Sequence, residues 1–233
     1  MKIKLQVALL SCCVLFGSIP IEPSATLFEN DQVKVRRALE TPHVKGKFHE
    51  HTQNRVMIYL QPGRQRFEYQ DGRQPSVFDW TEREVQWSAP EGMHSAEVVS
   101  DDPFNIIEIE LKKAGTGKAI ASDLDPVKLD PNDYKIEFEN SQVRVLRATI
   151  PAHGATPMHE HAVNRVTVFL TDQDFRVTNP QGKVAVVKHK AGEAIWGTPT
   201  WTICPAKRVT GFRHLLTPSP SSAATSHYPA PAA

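Results

Sequence analysis

His49-Glu50-His51-Thr52-Gln53-Asn54-Arg55-Val56-Met57-Ile58-Tyr59-Leu60, HEHTQNRVMIYL, returns later in the chain as HEHAVNRVTVFL at residues 159–170. On an extended strand, residues two apart point the same way, so His49 and His51 share one face, as do His159 and His161. The apolar run after each pair is rich in β-branched and aromatic residues, which suit a pleated, half-buried surface. Paired imidazoles on a strand raise the question of a metal, once per copy.

The two segments are 110 residues apart, and the same offset pairs Phe28-Glu29-Asn30 with Phe138-Glu139-Asn140, Gln32-Val33 with Gln142-Val143, and His43 with His153. Over residues 27–60, 16 of 34 positions are identical, where chance gives about two, so the chain reads as an internal duplication. The turns Asp71-Gly72 and Gln181-Gly182 hold the same place, and Trp87 pairs with Trp196 after a one-residue deletion. Short alternating segments separated by Gly, Pro, Asn and Asp predict an all-β fold with one sandwich or barrel per copy. The expected units are residues 26–112 and 134–216, joined by a Pro- and Asp-rich linker over 113–133.

Lys+Arg number 27 against 26 Asp+Glu, a formal charge of +1. That balance predicts neither nucleic-acid nor membrane-surface binding. Residues 1–25 carry lysines ahead of a short apolar run, the pattern of a secretory signal rather than an integral membrane span. Export follows as the expectation, secreted or periplasmic, with Leu9-Leu10-Ser11-Cys12 as a loose lipoprotein box that would make Cys12 a lipidated terminus. Residues 217–233 are rich in Pro, Ser and Ala, a composition too polar to offset the entropy of ordering, and read as a disordered tail. A chain cut after residue 25 keeps only Cys204, which then has no intramolecular disulfide partner.

HEH before an apolar strand, a Gly-containing hairpin, and EVQWSAPEGMHSAE leading into FNIIEIELK resemble the two sequence motifs of the cupins. A tandem pair resembles a bicupin, and the first copy is closest to small bacterial cupins associated with β-alanine degradation. The resemblance implies a double-stranded β-helix, or jelly roll, in each copy, with a metal or ligand inside the barrel. It also supplies a third ligand, since Pro90-Glu91-Gly92-Met93-His94 fits the second motif. His49, His51 and His94 then form a facial set with open positions, suited to one divalent transition metal, iron foremost, with Zn, Mn, Ni or Cu also accepting imidazoles.

The same resemblance predicts a glutamate ligand four or five residues after His51, where this chain has Arg55 and Val56. Alternation puts Arg55 on the His51 side, where it either opposes a cation or clamps a substrate carboxylate. Glu97, three residues after His94, is the candidate proton carrier. In the second copy the Trp and Pro anchors pair His94 with Ile203, and Gly92 with Trp201, whereas the strict offset pairs His94 with Cys204. A weak second site would use His159, His161 and Cys204, with His153 as another improvised ligand. The expected partner is a small organic molecule, with dioxygenase chemistry first, decarboxylation or isomerisation after it, and a non-catalytic binding module as the rival; a homodimer stays open.

Overall fold

The computed structural model describes residues 4–13, 18–115, 117, 120–179 and 181–202, and period-two alternation in these becomes strand almost throughout. The elements in chain order are β1 (Leu5–Cys13), β2 (Ala25–Glu29), β3 (Val33–Glu40), β4 (His49–His51), β5 (Arg55–Tyr59), β6 (Gly63–Tyr69), β7 (Ser76–Trp80), β8 (Glu84–Ser88), β9 (Glu91–Val98) and β10 (Phe104–Leu111). There follow α1 (Pro126–Leu129), β11 (Tyr134–Glu139), β12 (Val143–Pro151), β13 (His159–His161), β14 (Arg165–Phe169), β15 (Gln173–Thr178), β16 (Val184–His189), β17 (Ala194–Gly197) and β18 (Thr200–Thr202). Among the described residues no helix is long and apolar enough to cross a membrane.

Strands β2 to β10 form two sheets, ordered β2-β3-β10-β5-β8 and β4-β9-β6-β7. That interleaved order is the jelly roll expected from the sequence. Alternation assigns each face. Met57 and Tyr59 of β5, with Phe104 and Ile106 of β10, point toward Trp80 and Val98 of the other sheet and make the barrel interior. Val33, Val35, Val56, Ile58, Ile107 and Ile109 point the opposite way and bury themselves against the second half.

The second half repeats this frame, with a sheet ordered β11-β12-β1-β14-β17 and the pairs β13-β18 and β15-β16. Its apolar face, Leu5, Val7, Leu9, Val143, Val145, Val166 and Val168, closes the shared core. Polar contacts across this core are reciprocal. Asn54 donates to Gln142 at 2.7 Å and Asn164 to Gln32 at 3.2 Å, while Arg37 reaches the Gly192 carbonyl at 3.2 Å and Arg147 the Arg83 carbonyl at 2.9 Å. Positions 110 apart, or 109 for Arg83 and Gly192, thus exchange roles, as residues do across a twofold interface.

One placement differs from expectation. Residues 5–13, read above as leader, form a central strand, paired in parallel with β12 and β14. In the first half the corresponding slot holds β10, antiparallel to β3 and β5. Leu5, Val7 and Leu9 alternate with Gln6 and Ala8, so a short apolar run serves as well for a fully buried strand as for a leader. The linker is also docked rather than loose: Asp125 caps α1 and its carboxylate binds Arg144 at 2.6 Å, both side chains buried.

Candidate metal centre

His49 and His51 enter the first barrel from β4, and His94 lies directly opposite His49 on β9. The register shifts between His49 and His51, so that His51 pairs with Glu91, and Gly92 is part of β9. The three rings gather within 4.8 to 5.3 Å of one another, and their ligand nitrogens all lie within 4.8 Å.

Hydrogen bonding fixes how two of them face. His49 Nδ1 sits 2.8 Å from the Lys47 carbonyl and His94 Nδ1 2.8 Å from the Gly92 carbonyl. A carbonyl only accepts, so each Nδ1 carries the hydrogen and each Nε2 keeps a lone pair. Metal-binding histidines are oriented in this way. His49 Nε2 and His51 Nε2 are 3.1 Å apart, close to the spacing of about 3.0–3.4 Å between nitrogens on one ion bonded at about 2.0–2.1 Å. Burial, then the nearby Arg55 guanidinium, then His49 and His94, push the His51 pKa down to about 3. An imidazole that resists protonation offers its lone pair across the physiological range, so the donor set fits a cation.

The other expected residues divide. Arg55 is buried behind His51, 3.7 Å from Glu108 and donating to Ser88 at 2.9 Å. Glu97 does not join the cluster. Three residues from His94 on a strand, it faces the other side of β9, its backbone paired with Arg66 and with Lys45.

Sequence reading missed the carboxylates inside the barrel. Glu108 lies between Arg55 and Arg36, whose guanidinium is 3.5 Å away. Glu40, at the end of β3, accepts from Gln65 at 3.0 Å, and Gln65 in turn accepts from Trp80 at 2.8 Å. Burial, with Glu108 next, raises the Glu40 pKa. The available signal was alternation: with Val33 and Val35 turned to the core, Arg36 and Glu40 must face the barrel interior.

In the second half His159 and His161 also meet, with Nε2 atoms 3.2 Å apart, and His159 Nδ1 is held 2.9 Å from the Pro157 carbonyl. The register places Thr202 opposite His159, where the first half has His94. Ile203 and Cys204 lie outside the described residues. His153 adopts a left-handed backbone, φ 63°, as does His43 at 57°, which assigns the pair a shared turn. Among the described residues, the only three-residue cluster of metal-ligating side chains is His49, His51 and His94.

No protein-family model and no curated protein matches the chain. Solved structures do. A cupin domain from Bordetella pertussis is 23% identical, aligned over 42% of this chain and 99% of that one, with a TM-score of 0.34. A cupin superfamily protein from Desulfitobacterium hafniense is 16% identical over 38% of this chain and 75% of that one, TM-score 0.31. A double-stranded β-helix protein from Methanocaldococcus jannaschii is 10% identical over 41% and 85%, TM-score 0.34.

Proposed function

We propose that the chain is a tandem cupin whose first barrel holds one divalent transition metal, iron foremost, through His49, His51 and His94, and acts on a small organic molecule. A carboxylate is the favoured substrate class, in keeping with the resemblance to cupins associated with β-alanine degradation. The observation that carries the reading is the convergence of three imidazoles whose ligand nitrogens lie within 4.8 Å, His49 and His51 only 3.1 Å apart and His49 and His94 oriented by backbone carbonyls. Bound iron would supply Lewis-acid and oxygen-binding chemistry there, which makes a dioxygenase the first reaction class. Burial first, and Arg55 second, lower the proton affinity of His51, so the ring stays neutral. Glu40, with its raised proton affinity, is the carboxyl of the interior best suited to hold a proton.

Metal analysis of untagged protein tests this: about one equivalent is expected, falling to nearly none in His94→Ala. Metal-free protein that remains folded would overturn the reading. Oxygen uptake across keto acids, thiols and phenolics then tests the reaction class. A non-catalytic binding module is the second reading, favoured by the commitment of Arg55 to Glu108 and Ser88 and by the outward face of Glu97. Silence across the substrate panel with metal bound would select it.

Export is part of the proposal, supported by the composition of residues 1–25. N-terminal sequencing of the exported chain should begin just after Ala25, or at a lipid-bearing Cys12.

A further inference from the structure

His94 is the ligand that sets the first barrel apart, and a charged cluster lies on the Nδ1 side of its ring. Nδ1, held 2.8 Å from the Gly92 carbonyl, is also 4.0 Å from a carboxylate oxygen of Glu91, whose backbone pairs with His51. The other carboxylate oxygen of Glu91 accepts from Arg73 at 3.4 Å. Arg73 is fixed in turn. Its Nε donates to Asp71 at 2.7 Å and its guanidinium lies 3.8 Å over the Tyr69 ring, while the Tyr69 hydroxyl shares a 2.7 Å hydrogen bond with Ser76. Tyr69 pairs with His94 across β6 and β9, their ring centroids 6.5 Å apart.

The second half supplies an internal control. At the offset of 110, Tyr69 becomes Asn179, Asp71 becomes Gln181, Arg73 becomes Lys183 and Ser76 becomes Val186. The register sets Thr200 opposite His161, where the first half sets Glu91 opposite His51. Strands β15 and β16 nonetheless pair along their whole length, and Asn179 closes their turn by accepting from the Lys183 amide at 2.9 Å. The hairpin therefore needs none of the cluster. What the second half lacks along with it is the third histidine, since Thr202 stands at the place of His94.

We infer that Glu91 is a positioning residue for His94 as a metal ligand, and that Arg73, stacked on Tyr69, keeps the Glu91 carboxylate beside Nδ1. The inference rests on the metal reading given above. A ring that gives its Nε2 lone pair to a cation becomes a stronger donor at Nδ1, and a carboxylate beside that N–H stabilises the charge more than a neutral carbonyl does. Arg73 acts through Glu91, because a guanidinium near a cation is by itself repulsive. Charge alone therefore predicts tighter metal binding when Arg73 is removed, and positioning predicts weaker binding.

The test is titration of the full chain with Co(II), followed by the visible absorption of the bound ion, with thermal unfolding in EDTA to check that each variant folds. Ion pairs as exposed as these contribute little to folding, so melting should hardly change. Glu91→Gln should weaken Co(II) binding about tenfold or more, and Glu91→Thr, the residue of the second half, serves should that variant not fold. Glu50→Gln removes the same charge from between His49 and His51 on the opposite face of β4, and should leave affinity unchanged. Arg73→Gln should weaken binding several-fold, Tyr69→Phe, which keeps the stacking ring, should retain it, and Arg73→Gln added to Glu91→Gln should cause no further loss. Wild-type affinity in Glu91→Gln overturns the proposal, as does equal weakening by Glu50→Gln, or unchanged or tighter binding in Arg73→Gln. Wild-type protein that takes up no Co(II) overturns the metal reading and this inference together, whereas the other outcomes leave the metal reading standing.

Discussion

Glu40 and Glu108, with Arg36 and Arg55, give the first barrel a charged interior that its histidines alone do not reveal. Glu40 shares its surroundings with Glu108, Gln65, His49 and Arg36, and burial raises its pKa above the usual 4.5. A carboxyl with raised pKa binds its proton more tightly folded than unfolded, so its contribution to stability is fully present below about pH 4.5 and is lost as pH rises through the raised value. Glu40→Gln is therefore expected to raise the melting temperature at pH 7 and to make little difference at pH 4, as read by thermal unfolding at the two pH values. Glu108 answers to a different balance. It is buried with Arg55, and removing one partner strands the other's charge, so Glu108→Gln should cost about 3 kcal/mol in urea unfolding, with Arg55→Met in the same chain recovering most of the loss. His49 and His51 were legible from sequence because i and i+2 on a strand face together, whereas His94 came only through the resemblance to cupins. The carboxylates were not, because inward charges on β3 and β10 resemble a solvated face until the opposite face is known to be the core. Glu97 was misplaced for a related reason: a three-residue separation that would nearly align side chains on a helix inverts them on a strand.

At the level of elements, the repeat foretold more than a second copy. Asn54 and Asn164 follow HEH in both halves because each reaches across to the other half's glutamine. Asn54→Ala leaves Gln142 without that donor and should cost about 1 kcal/mol, measurable as a shift in the urea midpoint without a change in slope. Element identity was readable wherever alternation was clean. It was ambiguous in residues 5–13, where a nine-residue apolar strand and the hydrophobic part of a leader have the same composition. The register of β13 against β18 was also beyond reach, since single-residue deletions leave several alignments of residues 201–204 with His94, and the backbone pairing selects Thr202.

Across the whole molecule, the two larger sheets share one hydrophobic core, so the halves are expected to unfold together. Ile107 is fully buried in that core. Ile107→Ala should destabilise by about 2–5 kcal/mol and lower a single calorimetric transition. Appearance of two separate transitions would show that the halves unfold independently. A groove of about 410 Å³ between the halves is bordered by Asn54, Leu111 and Gln142, away from either histidine pair.

β1 also sets a schedule for synthesis. Leu5 pairs with Val143 and Gln6 with Arg165, so during synthesis β1 waits for partners about 140–160 residues farther along. At about 5–20 residues per second, that is a delay of roughly 7–30 s during which an apolar stretch stands unpaired. Under the export proposed above, export factors and the second sheet would compete for the same nine residues in time. Slowing translation after residue 111 should increase the exported fraction, and speeding it should increase the fraction that keeps residues 5–13 protected from proteolysis.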